Sequence, residues 1–180
     1  MKTIFVFLIT GFEEIEALAT VDVLRRAKLD VKTVSLTDDK VVMGSHDIPV
    51  TADIMFSEFD SAKAQMLVLP GGTVAYNDHE GVKKAFLDFA QKGKLIAAIC
   101  ASPMVLGGLG LLEGKKATAY PGFEQYLTKA ILHTDEAVVV DGNIITGRGP
   151  GVTIDFALVL VEQLAGKALR DEVAKGLLVK

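Results

Sequence analysis

With 180 residues, half of them apolar and 23% charged, the chain has the size of one domain (1–180) and too much apolar material for disorder. A formal charge of −4 with no block of Lys or Arg argues against nucleic acid as a partner, and a single cysteine excludes an internal disulfide. No apolar run reaches the ~20 residues that cross a bilayer, so a cytoplasmic protein without membrane contact is expected.

The opening MKTIFVFLIT has one lysine and a short apolar run. Glu13, Glu14 and Glu16 follow where a signal peptide would need a neutral cleavage site, so 4–9 reads as a buried first strand. Residues 31–36, 65–70 and 95–100 are further continuous apolar runs, the pattern of parallel strands covered on both faces. Helical spacing is expected at 13–28, 79–92 and 103–109. Residues 41–53, with Gly44 and Pro49, form a hairpin or excursion, and Asp141-Gly-Asn143 marks a hairpin within 137–147. A helix over 152–166 stops at Gly166, and a short one follows near 167–175. Alternating strands and helices predict an α/β fold with an open, mostly parallel central sheet and right-handed crossovers.

In such a sheet the ligand site lies beyond the carboxyl ends of the strands. Three segments meet that condition: Thr10–Glu16, Pro70-Gly71-Gly72-Thr73, and Cys100-Ala-Ser-Pro103. Cys100 stands between strand 95–99 and a helix opened by Pro103, with Ala98 and Ser102 as the small neighbours that a cramped nucleophile turn requires. Unpaired amides at a helix start lower a thiol's pKa, so a reactive Cys100 is expected; the alternative is a small core residue. Gly71-Gly72 either forms a plain tight turn or brings the Gly72 amide, with that of Ala101, to an oxyanion or an oxidised sulfur. Glu16 is the odd carboxylate, set among Ile15, Ala17 and Leu18. Next to a thiolate it would hold the proton, because two adjacent negative charges repel. His46, His79 and His133 have no metal-ligand spacing, so no metal and no other cofactor is expected, and the residues alone assign no general base.

The segments TGFEEIEALATVDVLRRA, MLVLPGG, AAICASP and ITGRGPG, in this order and spacing, resemble the ThiJ/PfpI superfamily and most closely its DJ-one branch. The closing GKALRDEVAKGLLVK resembles that branch's extra C-terminal helix. The resemblance implies a flavodoxin-like three-layer sandwich, a homodimer, a reactive cysteine at Cys100, a protonated glutamate at Glu16, and oxyanion-type amides at Gly72 and Ala101. It also implies an arginine near an anion-binding mouth at Arg26, and a proline at Pro150 that approaches the partner's site. Two positions depart from the branch: Tyr120, before Pro121, replaces a histidine, and His46 replaces a second arginine. A phenol with a pKa near ~10 is a poor base at neutral pH. His46 is either a pH-dependent substitute or a surface-loop residue.

The family's activities imply three readings. The first is glyoxalase or deglycase chemistry on an α-oxoaldehyde or a glycated adduct, through Cys100 and Glu16. The second is a redox sensor or chaperone whose Cys100 becomes a sulfinate. The third, a protease, amidase or thiazole-biosynthesis protein, is disfavoured because Ala101 rather than histidine follows the cysteine.

Overall fold

The computed structural model describes residues 2–179. In chain order the elements are β1 (Thr3–Leu8), α1 (Glu14–Arg26), β2 (Val31–Ser35), β3 (Val41–Met43), β4 (Pro49–Thr51), β5 (Ile54–Met55), β6 (Ala64–Leu69), α2 (Glu80–Gln91), β7 (Leu95–Ile99), α3 (Pro103–Gly108), β8 (Lys116–Ala117), β9 (Ile131–Leu132), β10 (Val138–Asp141), β11 (Ile144–Gly147), α4 (Thr153–Ala165) and α5 (Lys167–Gly176). The central sheet has seven strands in the order β10-β11-β7-β6-β1-β2-β5. Only the β10–β11 pair within it is antiparallel, and the rest of the sheet is parallel.

The continuous apolar runs are explained by two cores, one on each face. In β1, Phe5 and Phe7 point into a layer with Phe86 and Phe89 of α2 and Val105 of α3. Ile4 and Val6 point the other way, toward Val21, Val23 and Leu24 of α1 and Phe156, Leu160 and Val161 of α4. All six β1 residues are therefore buried, as a central strand demands. The expected flavodoxin-like sandwich is the observed one.

The segment expected as a hairpin or excursion is the antiparallel pair β3–β4, standing apart from the main sheet. Ile54–Met55, too short to read as a strand, supplies the sheet's edge beside β2. From β1 the chain moves outward to β2, and later returns to place β6 on the opposite side of β1. The strand order thus reverses between β1 and β6, the place where an open sheet leaves a crevice at its carboxyl edge. Among the described residues no helix is long and apolar enough to cross a membrane.

Candidate functional site

β1, β6 and β7 are adjacent, so the segments that leave their carboxyl ends meet. Cys100 takes φ +65°, the left-handed region that costs a side-chain-bearing residue energy. The other described non-glycine residues with positive φ, Lys28, Asp47, Lys129 and Leu178, are exposed; Cys100 is 8% exposed. Hydrogen bonds hold it in that conformation. Its N–H donates to Gly147 O at 2.9 Å, and its carbonyl accepts from Tyr120 N–H at 2.9 Å. The strand-to-helix turn is therefore a strained elbow that turns the sulfur out of the sheet.

Glu16, 1% exposed, enters from the first turn of α1. Its Oε2 accepts from Gly71 N–H at 2.7 Å, while Oε1 is buried without a partner of standard geometry. Glu13 caps α1 by accepting Glu16 N–H through Oε2 at 2.7 Å, and donates its own N–H to Gly71 O at 2.9 Å. Gly72, at φ +93°, is a required glycine, because a Cβ there would meet Glu13 N at 2.4 Å. The amides of Gly72 and Ala101 lie beside the sulfur and act to lower its thiol pKa.

Burial foremost raises the Glu16 carboxyl from 4.5 to about 7, the charge of Glu13 adding to it and hydrogen bonds from Gly71 and Cys100 opposing it. Burial, then the charge of Glu16, pushes the Cys100 thiol from 9.0 to about 12, against the two amides. This corrects the expectation of a thiol lowered by a helix start. The helix α3 has six residues, and two amides do not offset burial beside a carboxylate. Between the two values the pair carries one negative charge and one proton.

A cavity of about 470 Å³ opens on the sulfur, lined by Gly72, Thr73, Val74, Cys100, Ala101, Tyr120 and Phe123. Tyr120 also walls a neighbouring cavity of about 240 Å³ with Arg148, Gly149 and Pro150. Of the residues expected at the site, the fold brings Glu16, Gly71, Gly72, Cys100 and Ala101 together, with Tyr120 at the cavity and Pro150 next door.

Arg26 corrects another expectation: within one chain it is not at the mouth. It ends α1, ten residues beyond Glu16, which is about 15 Å along a helix. There it pairs with Asp22 at 2.6 Å and faces α5. His46 does not line the cavity either; its Nδ1 lies 2.7 Å from Glu14 Oε2. Glu13, Glu14 and His46 bring one ligand atom each within 4.8 Å of one another, but Glu13 Oε2 and both Glu14 oxygens are already committed to Glu16, Ser45 and His46.

The geometry has counterparts in known proteins. Residues 2–163 match the DJ-1/PfpI family. The chain belongs to it. Protein dj-1beta of Drosophila melanogaster is 41% identical, over 99% of this chain and 97% of its own. The crystal structure of that protein superposes with a TM-score of 0.95, at 40% identity over 99% of this chain and 98% of its own. An oxidized Toxoplasma gondii DJ-1 gives 0.93 at 35% identity, covering 99% and 98%. A Pyrococcus abyssi protein named a deglycase is 34% identical over 78% of this chain and 86% of its own.

As a DJ-1/PfpI protein the chain also carries site contacts that sequence reading missed. These are the Glu13 cap, the Glu14–His46 pair, Phe123 in the cavity wall, and the Ser102 hydroxyl, which donates to Pro70 O. Each joins residues through the fold. The only sequence signal was the apolar setting of Glu16, which says nothing of these partners.

Proposed function

We propose that this protein converts α-oxoaldehydes, free or as glycated adducts, into 2-hydroxy acids without a cofactor, Cys100 acting as nucleophile and Glu16 as proton carrier. The observation that carries the reading is the buried Glu16 carboxyl, which meets Cys100 over the backbone of Gly71, behind a cavity that opens on the sulfur. A carboxylate whose pKa is near the working pH is suited to both accepting and returning a proton.

As the sulfur attacks the aldehyde carbon, the S–C bond forms and the C=O π pair moves to oxygen. Glu16 takes the thiol proton and delivers it to that oxygen, leaving a neutral hemithioacetal. The ionised Glu16 then removes the proton on the former aldehyde carbon and returns it to the neighbouring carbonyl carbon, while the hemithioacetal hydroxyl proton passes to the neighbouring oxygen, giving a thioester of the 2-hydroxy acid. Water cleaves the thioester to the acid and restores the thiol, so the net change is addition of one water. The Gly72 and Ala101 amides suit the negative charge that develops beside the sulfur. No charged side chain is among the cavity's lining residues, which suits an uncharged dicarbonyl.

The test is lactate formation from methylglyoxal with no added thiol or metal. Turnover should vanish in Cys100→Ala and fall sharply in Glu16→Gln; full turnover in Cys100→Ala would rule the reading out. The exposed Ile15 and Leu18 of α1, with Met43 and Ile48 of the adjoining hairpin, further support a homodimer.

A second reading, as a redox sensor, is favoured by the two amides directed at the sulfur and by the lack of a second cysteine to form a disulfide. It expects mild peroxide to add two oxygen atoms to Cys100 alone, read by mass spectrometry.

A further inference from the structure

Ser102 precedes Pro103 at the start of α3, the position where a serine ordinarily caps a helix by accepting one of its first amides. Its side chain makes no such bond. The hydroxyl, on a residue 1% exposed, donates instead to the carbonyl of Pro70, beyond the end of the neighbouring strand β6. A serine that forgoes its local role for a buried long-range one marks a place where another demand overrides helix capping.

The acceptor explains that demand. Pro70, Gly71 and Gly72 form the turn after β6, and the turn is tied into the site. Gly71 N–H donates to Glu16, Gly71 O accepts from Glu13, and Gly72 lines the cavity beside Cys100, where its amide acts to lower the thiol pKa. Pro70 O is the turn's bond to the segment that carries Cys100. The serine is two residues from the cysteine, so its hydroxyl ties the elbow to the turn that presents the Gly72 amide.

We infer that Ser102 is a positioning residue, whose hydroxyl holds the Pro70–Gly72 turn at the spacing that keeps the Gly72 amide beside the Cys100 sulfur. The inference rests on Cys100 being the reacting group and does not require any particular substrate. Without the hydroxyl, Pro70 O is left buried and unpaired, the turn relaxes toward another donor, and the sulfur loses one of its two amides. The thiolate and any sulfinate then lose stabilisation together, while the fold's cores are untouched.

The experiment measures the second-order rate of Cys100 alkylation by iodoacetamide against pH, and the sulfinate yield at fixed peroxide, in wild type and Ser102→Ala. The expected result is alkylation about tenfold slower at pH 8, the loss that one unit of thiol pKa corresponds to, and a lower sulfinate yield. Ser102→Thr and Ser102→Val provide an isosteric pair with and without the hydroxyl, covering the case in which the alanine variant does not fold. The Thr variant should be alkylated faster than the Val variant at pH 8. Superimposable profiles for wild type and Ala, or for Thr and Val, would overturn the inference. Because alkylation needs no turnover, a wild type inactive toward methylglyoxal would sink the proposed reaction and leave this result standing.

Discussion

A Cβ added to Gly71 would stand 2.6 Å from Cys100 Cβ and 2.7 Å from Glu16 Oε2, so the backbone of Gly71 is the floor on which nucleophile and acid meet. Contacts that short force movement, and the third neighbour, Ile99 O at 3.0 Å, is backbone that gives little. Gly71→Ala is therefore expected to push Glu16 and Cys100 apart. It should cost about 1–3 kcal/mol of stability, as overpacking does. Urea unfolding reads the first effect. The second appears as an iodoacetamide pH profile that no longer responds to Glu16→Gln.

The elbow makes a second prediction, about strain. Alanine ordinarily outperforms glycine in stability, because glycine leaves a freer unfolded chain. At φ +65° the order reverses, since any Cβ in the left-handed region is penalised. Cys100→Gly should be more stable than Cys100→Ala by about 1 kcal/mol in chemical denaturation. Both variants lack the sulfur and differ by one methyl group, whose burial favours Ala, so a more stable Gly variant reports the strain. Equal stabilities would mean that Cys100 carries no strain.

The same two residues show why part of the site was legible in the sequence and part was not. Cys100 could be found because its setting is local: a buried strand, small neighbours at 98 and 102, and a proline opening the next helix. The long strands and helices were equally local, since burial on both faces leaves an apolar run and helical spacing leaves a stripe. Arg26 was expected at the mouth from a sequence match, which carries no direction, and within one chain the helix places it at the end opposite Glu16. Ser102 was read only as a small residue because its acceptor, Pro70, is 32 positions away. The short edge strand Ile54–Met55 was missed for a related reason: two residues have no periodicity, and pairing with β2 is what makes them a strand.

Glu16 also predicts how stability depends on pH. Its folded pKa, about 7, lies above its ordinary 4.5, so the folded state binds the proton more tightly than the unfolded one. Its contribution is most favourable below about 4.5, declines as pH rises through the window to about 7, and is flat above. A shift of this size corresponds to about 3 kcal/mol. Glu16→Gln removes the buried charge, so it should flatten that part of the urea midpoint against pH and raise stability at pH 8. A variant whose pH profile still falls through neutrality would show that another group is responsible.

The Glu14–His46 pair works in the opposite direction at low pH. Glu14 is buried and His46 is exposed, and their side chains meet at 2.7 Å, joining the first turn of α1 to the loop between β3 and β4. Glu14 also accepts from His46 N–H at 2.7 Å and Ser45 hydroxyl at 3.1 Å. Despite burial, which acts to raise it, these bonds lower its carboxyl to about 2, and the carboxylate in turn raises the His46 imidazole. Glu14's contribution is present above about 4.5 and is lost as pH falls toward about 2. That of His46 is complete below its ordinary 6.5 and is lost as pH rises through the raised folded value. The loop is thus held most firmly between those limits. The amides that report it are Ser45 N–H, bonded to Phe12 O, and Gly11 N–H, bonded to Met43 O, each at 2.8 Å. His46→Ala should speed hydrogen exchange at both amides at pH 6 and leave β1, β6 and β7 protected, because only the local latch is removed. Unchanged exchange at Ser45 and Gly11 would show that the backbone pairing alone holds the loop.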